Sequence, residues 1–148
     1  MPFALLYNEL PALAENETRT VIVQFDMKNS PPVDAYVFCE MFCNEPGCDC
    51  RRVFFTVISE KRQAVVAVIA YGWETPEFYE KWMGSDDPVD IAEMIGPVLN
   101  FGSKQSQFAP MILELFISQL LMDIDYINRV KRHYKQFRQR IERKAKER

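Results

Sequence analysis

Three runs rich in β-branched and aromatic residues follow one another with very little between them. "VDAYVFCEMFC" (33–43), "RVFFTVIS" (52–59) and "AVVAVIAYGW" (64–73) are separated only by a cysteine-bearing turn and by the polar "EKRQ". Parallel neighbours need a crossover of a dozen residues or more, so connections this short predict antiparallel pairing. "TRTVIVQFDM" (18–27), ending at the double-proline turn "KNSPP", reads as a further strand. The segment before it is poorly patterned. An antiparallel β-meander of three or four strands is therefore expected within residues 1–73.

From Thr75 onward the punctuation is helical. Thr75 stands as an N-cap, Pro76 at the first helical position and Glu77 in the first turn. "DPVDIAEMIG" (87–96) repeats the device with Asp87 and Pro88 and stops at Gly96-Pro97. Residues 97–107 read as a loop before Pro110 opens "PMILELFISQLLM". A last, long and basic helix is expected from about Asp125 to near the C-terminus, capped by Asp123 or Asp125. Strands first and four helices afterwards make an α+β class. With 148 residues, 48% of them hydrophobic, one domain over 1–148 buries a sufficient core, with 74–148 mainly helical.

The apolar runs "AVVAVIAY" and "FAPMILELFISQLLM" are short, or broken by Glu114, Ser118 and Gln119, and fall below the ~20 residues of a membrane span. No membrane association is expected. The opening residues lack a basic leader and run quickly into glutamates, which argues against a secretory signal and for a cytoplasmic location. In a reducing compartment clustered thiols point to metal or redox chemistry rather than disulfides.

That matters because "CNEPGCDCRR" (43–52) carries three of the four cysteines. The spacing is Cys39-x3-Cys43-x4-Cys48-x-Cys50, with "NEPG" suited to a tight reversal. Zinc needs thiolates about 2.3 Å from one point, hence sulfurs roughly 3.8 Å apart, and a knuckle-like turn supplies that convergence. Arg51 or Arg52 would offset the charge of several thiolates on one divalent ion. Cys39 is the fourth candidate ligand, but on a regular strand it would stand about 13 Å from Cys43. Either a bulge brings it in, or it is a core thiol and the fourth position falls to an Asp or Glu, to water or to the sole histidine, His133. Against the metal stands a hairpin of ordinary reduced thiols. Redox chemistry has little support, since there is no CxxC and no evident base beside the thiols.

Two other features carry competing readings. Tyr71, Trp73, Phe78, Tyr79 and Trp82 crowd the strand-to-helix corner, where core packing competes with a ligand pocket. Glu74, Asp86, Asp87 and Asp90 offer carboxylates, but three of these stand at helix starts, and no catalytic pair is assigned. Charge is divided: residues 126–148 hold ten Lys/Arg against two Glu, net +8, and the remainder eight against nineteen, net −11. The stripe Ile127, Val130, Tyr134, Phe137, Ile141 would pack on the body, pair with another copy or meet a protein partner. Arg129 to Arg143 would give nucleic-acid binding, which the acidic body opposes.

The run "FCNEPGCDCRRVFFTVIS", with "YGWE", "FYEKWM", "LELF" and "RVKRHYKQF", resembles an uncharacterised bacterial protein family often found with a C-terminal SEC-C motif, itself a small cysteine-rich zinc module. The likeness covers most of residues 33–137. Its most specific piece is C-x4-C-x-C followed by Arg-Arg, onto which Cys43, Cys48 and Cys50 match and Cys39 does not. Here "RIERKAKER" stands in place of the SEC-C cysteines. The resemblance implies a recurrent fold and brings no activity with it. The expected role is a non-enzymatic interaction or adaptor domain with a structural zinc. The alternatives are a metal-dependent enzyme with an open zinc position and a nucleic-acid-binding protein.

Overall fold

A computed structural model describes residues 2–147. The three central runs form β3 (Asp34–Cys43), β4 (Arg52–Ser59) and β5 (Ala64–Gly72), each antiparallel to the next. A bulge at Val57/Ile58 shifts the β4–β5 register just before the hairpin turn. β2 (Arg19–Val23) pairs with residues 34–38 of β3. The fold class is the expected α+β, but the sheet has six strands among the described residues. The added ones are β1 (Phe3–Leu5), paired with residues 41–43 of β3, and the two-residue β6 (Val98–Leu99) on the outer edge of β5. β1 and β2 share one edge of β3, and α1 (Leu6–Glu9) and α2 (Pro11–Glu17) connect them.

The later helices begin where their caps place them. α3 (Pro76–Met83) is capped by the Thr75 side chain, and α4 (Pro88–Ile95) by Asp87. α5 (Ala109–Leu115) runs into a π-helical turn over Phe116–Leu121. α6 (Ile124–Lys146) starts at Asp123, whose carboxylate accepts from the Tyr126 N–H. No helix among the described residues is long and apolar enough to cross a membrane.

All the long helices cover one face of the sheet. Tyr36, Phe38, Glu40 and Phe42 of β3 alternate inward, as do Val53, Phe55 and Val57 of β4. They meet Phe116 of the π turn and the α6 stripe Ile127, Val130, Tyr134, Phe137 and Ile141, all buried in one apolar cluster. Phe116 packs on both Phe38 and Phe55, at ring distances of 6.2 and 4.9 Å. The stripe of α6 is thus spent on the chain's own sheet. α6 lies across β3, with its C-terminal half beside the turn that joins β3 to β4.

Candidate metal centre

That turn is built by Glu45-Pro46-Gly47-Cys48. The Cys48 N–H donates to the Glu45 carbonyl at 3.2 Å, Pro46 takes the second position, and Gly47 has φ 78°. A proline followed by a left-handed residue is the type II pattern, and glycine is the residue that adopts it without strain. The chain then returns through Arg51, whose φ of 52° is left-handed without a glycine. Its backbone is held on both sides: the N–H donates to the Tyr134 hydroxyl at 3.1 Å, and the carbonyl accepts from the Tyr79 hydroxyl at 2.8 Å. Such a conformation costs about 1–3 kcal/mol and persists where its surroundings enforce it.

The reversal brings the sulfurs of Cys43, Cys48 and Cys50 within 4.8 Å of one another. Tetrahedral zinc asks for roughly 3.8 Å between sulfurs, so a contraction of at most about 1 Å would close the site. Cys43 and Cys50 are buried and Cys48 is partly exposed. Burial pushes the Cys43 thiol up, and the Cys50 thiol up to about 12; neighbouring thiols add to both. Backbone hydrogen bonds from Glu45 to Cys43 and from Arg52 to Cys50 act the other way, favouring the thiolates. A divalent cation at the centre reverses the balance, because a coordinating thiol is deprotonated outright.

Around the sulfurs α6 supplies three side chains at successive four-residue steps, which share one helix face. Tyr134 donates its hydroxyl to Asp49 at 3.0 Å. Arg138, nearly buried, donates to the carbonyls of Cys43 and Glu45 at 2.5 and 2.7 Å. Glu142 accepts from the Gly47 N–H at 2.6 Å and pairs with Arg138 at 2.7 Å. Asp49 lies between two of the cysteines in sequence, yet its carboxylate turns outward to Arg51. Arg51 also reaches Glu74 at 3.3 Å.

The other candidates are placed elsewhere. Cys39 stands in mid-strand opposite Thr56, outside the group of three, its thiol raised by burial and then by Glu40. His133 is held between Glu40 at 2.7 Å and Glu17 at 3.1 Å, away from the turn. Burial lowers its pKa, but the two carboxylates win and it lies above its ordinary value. No fourth His, Cys, Asp or Glu joins the three sulfurs among the described residues.

The aromatic corner is largely packing. Tyr71 lies against Phe116, Trp73 meets Tyr134 edge-on at 5.1 Å, and Tyr79 is fully buried. Asp87 caps α4, and Asp90 lies in its first turn. Much of the basic tail faces acids of the same chain: Arg129 and Arg132 reach Glu17, and Arg140 and Lys144 reach Glu9. Sequence reasoning missed Tyr134, Arg138 and Glu142 as supports of the turn. Their i, i+4, i+8 spacing was the available signal, hidden because Arg138 looks like one more cation in a basic helix.

No family model matches this chain, and no match is found among curated proteins or solved structures.

Proposed function

We propose that the chain is a non-enzymatic interaction domain in which Cys43, Cys48 and Cys50 hold a structural zinc that fastens the β3–β4 turn beneath α6. The observation that carries this reading is the convergence of three sulfurs at a turn whose backbone is gripped by Tyr134, Arg138 and Glu142. Metal-ligand turns are commonly fixed by such outer contacts, which set ligand orientation. Zinc fits a set of thiolates, as do Cu(I) and iron–sulfur clusters, so identity is part of the test.

Metal analysis of freshly purified protein is expected to give one zinc per chain. Serine at any of the three positions abolishes it, and Cys39→Ser leaves it intact. Metal-free protein from a preparation without chelator or oxidant would defeat the proposal.

One observation favours a second reading, a metal-dependent enzyme. Among the described residues three protein ligands gather at the site, which is the number found in catalytic zinc centres, whose fourth position holds water. The surroundings support the structural role better, since Asp49, Arg51, Glu74 and Tyr134 are engaged with one another rather than presented as acid or base. X-ray absorption with ligand exchange separates the two: three sulfurs and one light atom that exchanges with added thiocyanate or azide would favour the enzyme, and three sulfurs with a fourth ligand that resists exchange the closed structural site.

A further inference from the structure

The face of the sheet turned away from α5 and α6 breaks the usual rule for antiparallel sheets, which alternate apolar inward with polar outward. Its outward residues on the two central strands are Val37, Cys39 and Met41 on β3, and Phe54, Thr56 and Ile58 on β4, all partly exposed. The one hydroxyl among them is turned aside, since Thr56 donates to Met41 Sδ at 2.8 Å. The one charged side chain at an outward position of β4, Arg52, is buried and spends its guanidinium on the carbonyls of Glu93 and Met94 at the end of α4. The open part of the face is therefore both apolar and uncharged. Ile22 of β2 extends it at one side, 65% exposed.

On the other side the face passes into a cleft of about 510 Å³ between α4 and the sheet, lined by the apolar Phe54, Met83 and Met94 and, on α4, by Asp90 and Glu93. Phe101, on the rim of that cleft, projects entirely into solvent. A projecting ring beside a hole with an apolar floor on one surface is what a two-fold axis pairs reciprocally, each copy's knob entering the other's hole. The central β3–β4 face, being uncharged, opposes no like charges when it meets itself, and the two carboxylates stay on the α4 wall of the cleft.

Size decides whether such a pairing holds. Three open strand positions, β2, β3 and β4, spaced by 4.8 Å and about eight residues long, give roughly 380 Å² per copy. An inserted aromatic ring adds roughly 150–200 Å². Two copies would bury about 1,100 Å² in total, the size of a weak and reversible specific interface.

We infer that this sheet face is a self-association surface: a second copy of this chain docks face to face, with Phe101 of each seated against Phe54, Met83 and Met94 of the other. The inference rests on the interaction-domain reading and not on the metal, so mass and zinc content are read on the same sample. Sedimentation at increasing concentration is expected to show a reversible monomer–dimer equilibrium. Thr56→Lys places a charge in the middle of the face and should leave a monomer. Phe101→Ala, which removes a ring that touches nothing in the monomer, should weaken the dimer by about tenfold or more, as loss of an aromatic anchor does. The Phe101 variant keeps the test decisive if Thr56→Lys misfolds. A wild type that stays monomeric at the highest attainable concentration overturns the inference, whether or not zinc is present. A dimer that Phe101→Ala leaves unchanged overturns it as well.

Discussion

Arg138 joins three features that sequence order keeps far apart: the end of β3, the cysteine turn and the last helix. Its guanidinium satisfies two carbonyls of the turn, and Glu142 balances its charge. Arg138→Met keeps the apolar stem but removes that donor from both; the buried Cys43 carbonyl costs about 1–3 kcal/mol unpaired, while the Glu45 carbonyl is partly exposed and keeps the Cys48 N–H. A loss of about 1–3 kcal/mol in urea unfolding is expected, together with a roughly 10- to 100-fold weaker metal affinity, the usual effect of losing an outer support. A variant with wild-type stability and metal affinity would show that the clamp is incidental. Glu17 sets a second expectation at this scale. Hydrogen bonds from Arg132 and then His133 pull its pKa from an ordinary 4.5 to about 2. A depressed acid stabilises the fold above its unfolded value and loses that contribution as pH falls through the folded one. Stability should therefore fall between about pH 4.5 and 2, and Glu17→Gln should flatten that limb of the profile. The cysteine turn was legible because thiols, Pro and Gly at close spacing have few other uses. Cys39 was legible only in part: strand spacing counted against it as a ligand, but whether a bulge brings it in was decided by the regular pairing of β3 with β4, which places it opposite Thr56. The site of His133 was not legible, because two carboxylates more than 90 residues away in sequence decide it.

Elements were legible where local chemistry determines them. Thr75-Pro76, Asp87-Pro88 and Asp123 begin helices through their own side chains, and short connections left β3, β4 and β5 no choice but to pair antiparallel. β1 and β6 were not, since three and two residues have no periodicity to detect and exist as strands only because β3 and β5 offer free edges. α1 and α2 likewise take their form from packing, with Leu6 and Ala14 buried in the core. One tightly confined junction between elements is Gly72, at the end of β5. A Cβ there would lie 2.5 Å from the Tyr79 hydroxyl and 2.6 Å from the Met94 carbonyl. Gly72→Ala must displace α3 or α4 from the sheet, and with α3 the Tyr79 bond that holds the left-handed Arg51. Overpacking of this kind costs about 1–3 kcal/mol. Calorimetry should show that loss together with a lower metal affinity; unchanged affinity would mean that Tyr79 does not govern the turn.

Across the whole molecule, α6 ties the two ends of the sheet and the two ends of the chain. At its start Asp123 meets Arg19 of β2; near its end Glu142 meets the cysteine turn and Lys144 meets Glu9 of α1. The acidic body and basic tail apparent in the composition thus face each other within one chain. Exposed ion pairs contribute only about 0–1 kcal/mol each, so the buried stripe of α6 is what keeps the helix in place and the charges orient it. A structural zinc is of another magnitude, about 10–16 kcal/mol of apparent binding free energy in small zinc domains, against a typical total stability of about 5–15 kcal/mol. Its removal should not act uniformly. Tyr134, Arg138 and Glu142 lose ordered partners when the turn loosens, while Tyr126, Ile127 and Val130 keep the core beneath them. After chelation, hydrogen exchange should therefore accelerate in residues 43–52 and in the half of α6 from 134 onward, and change little over 124–131. Raising salt to 1 M should not reproduce that pattern, because it acts on the partly exposed Glu9 and Glu17 pairs and leaves thiolate–metal bonds intact. Equal acceleration along the whole helix would mean that α6 responds as one unit and that the metal supports the fold rather than this turn.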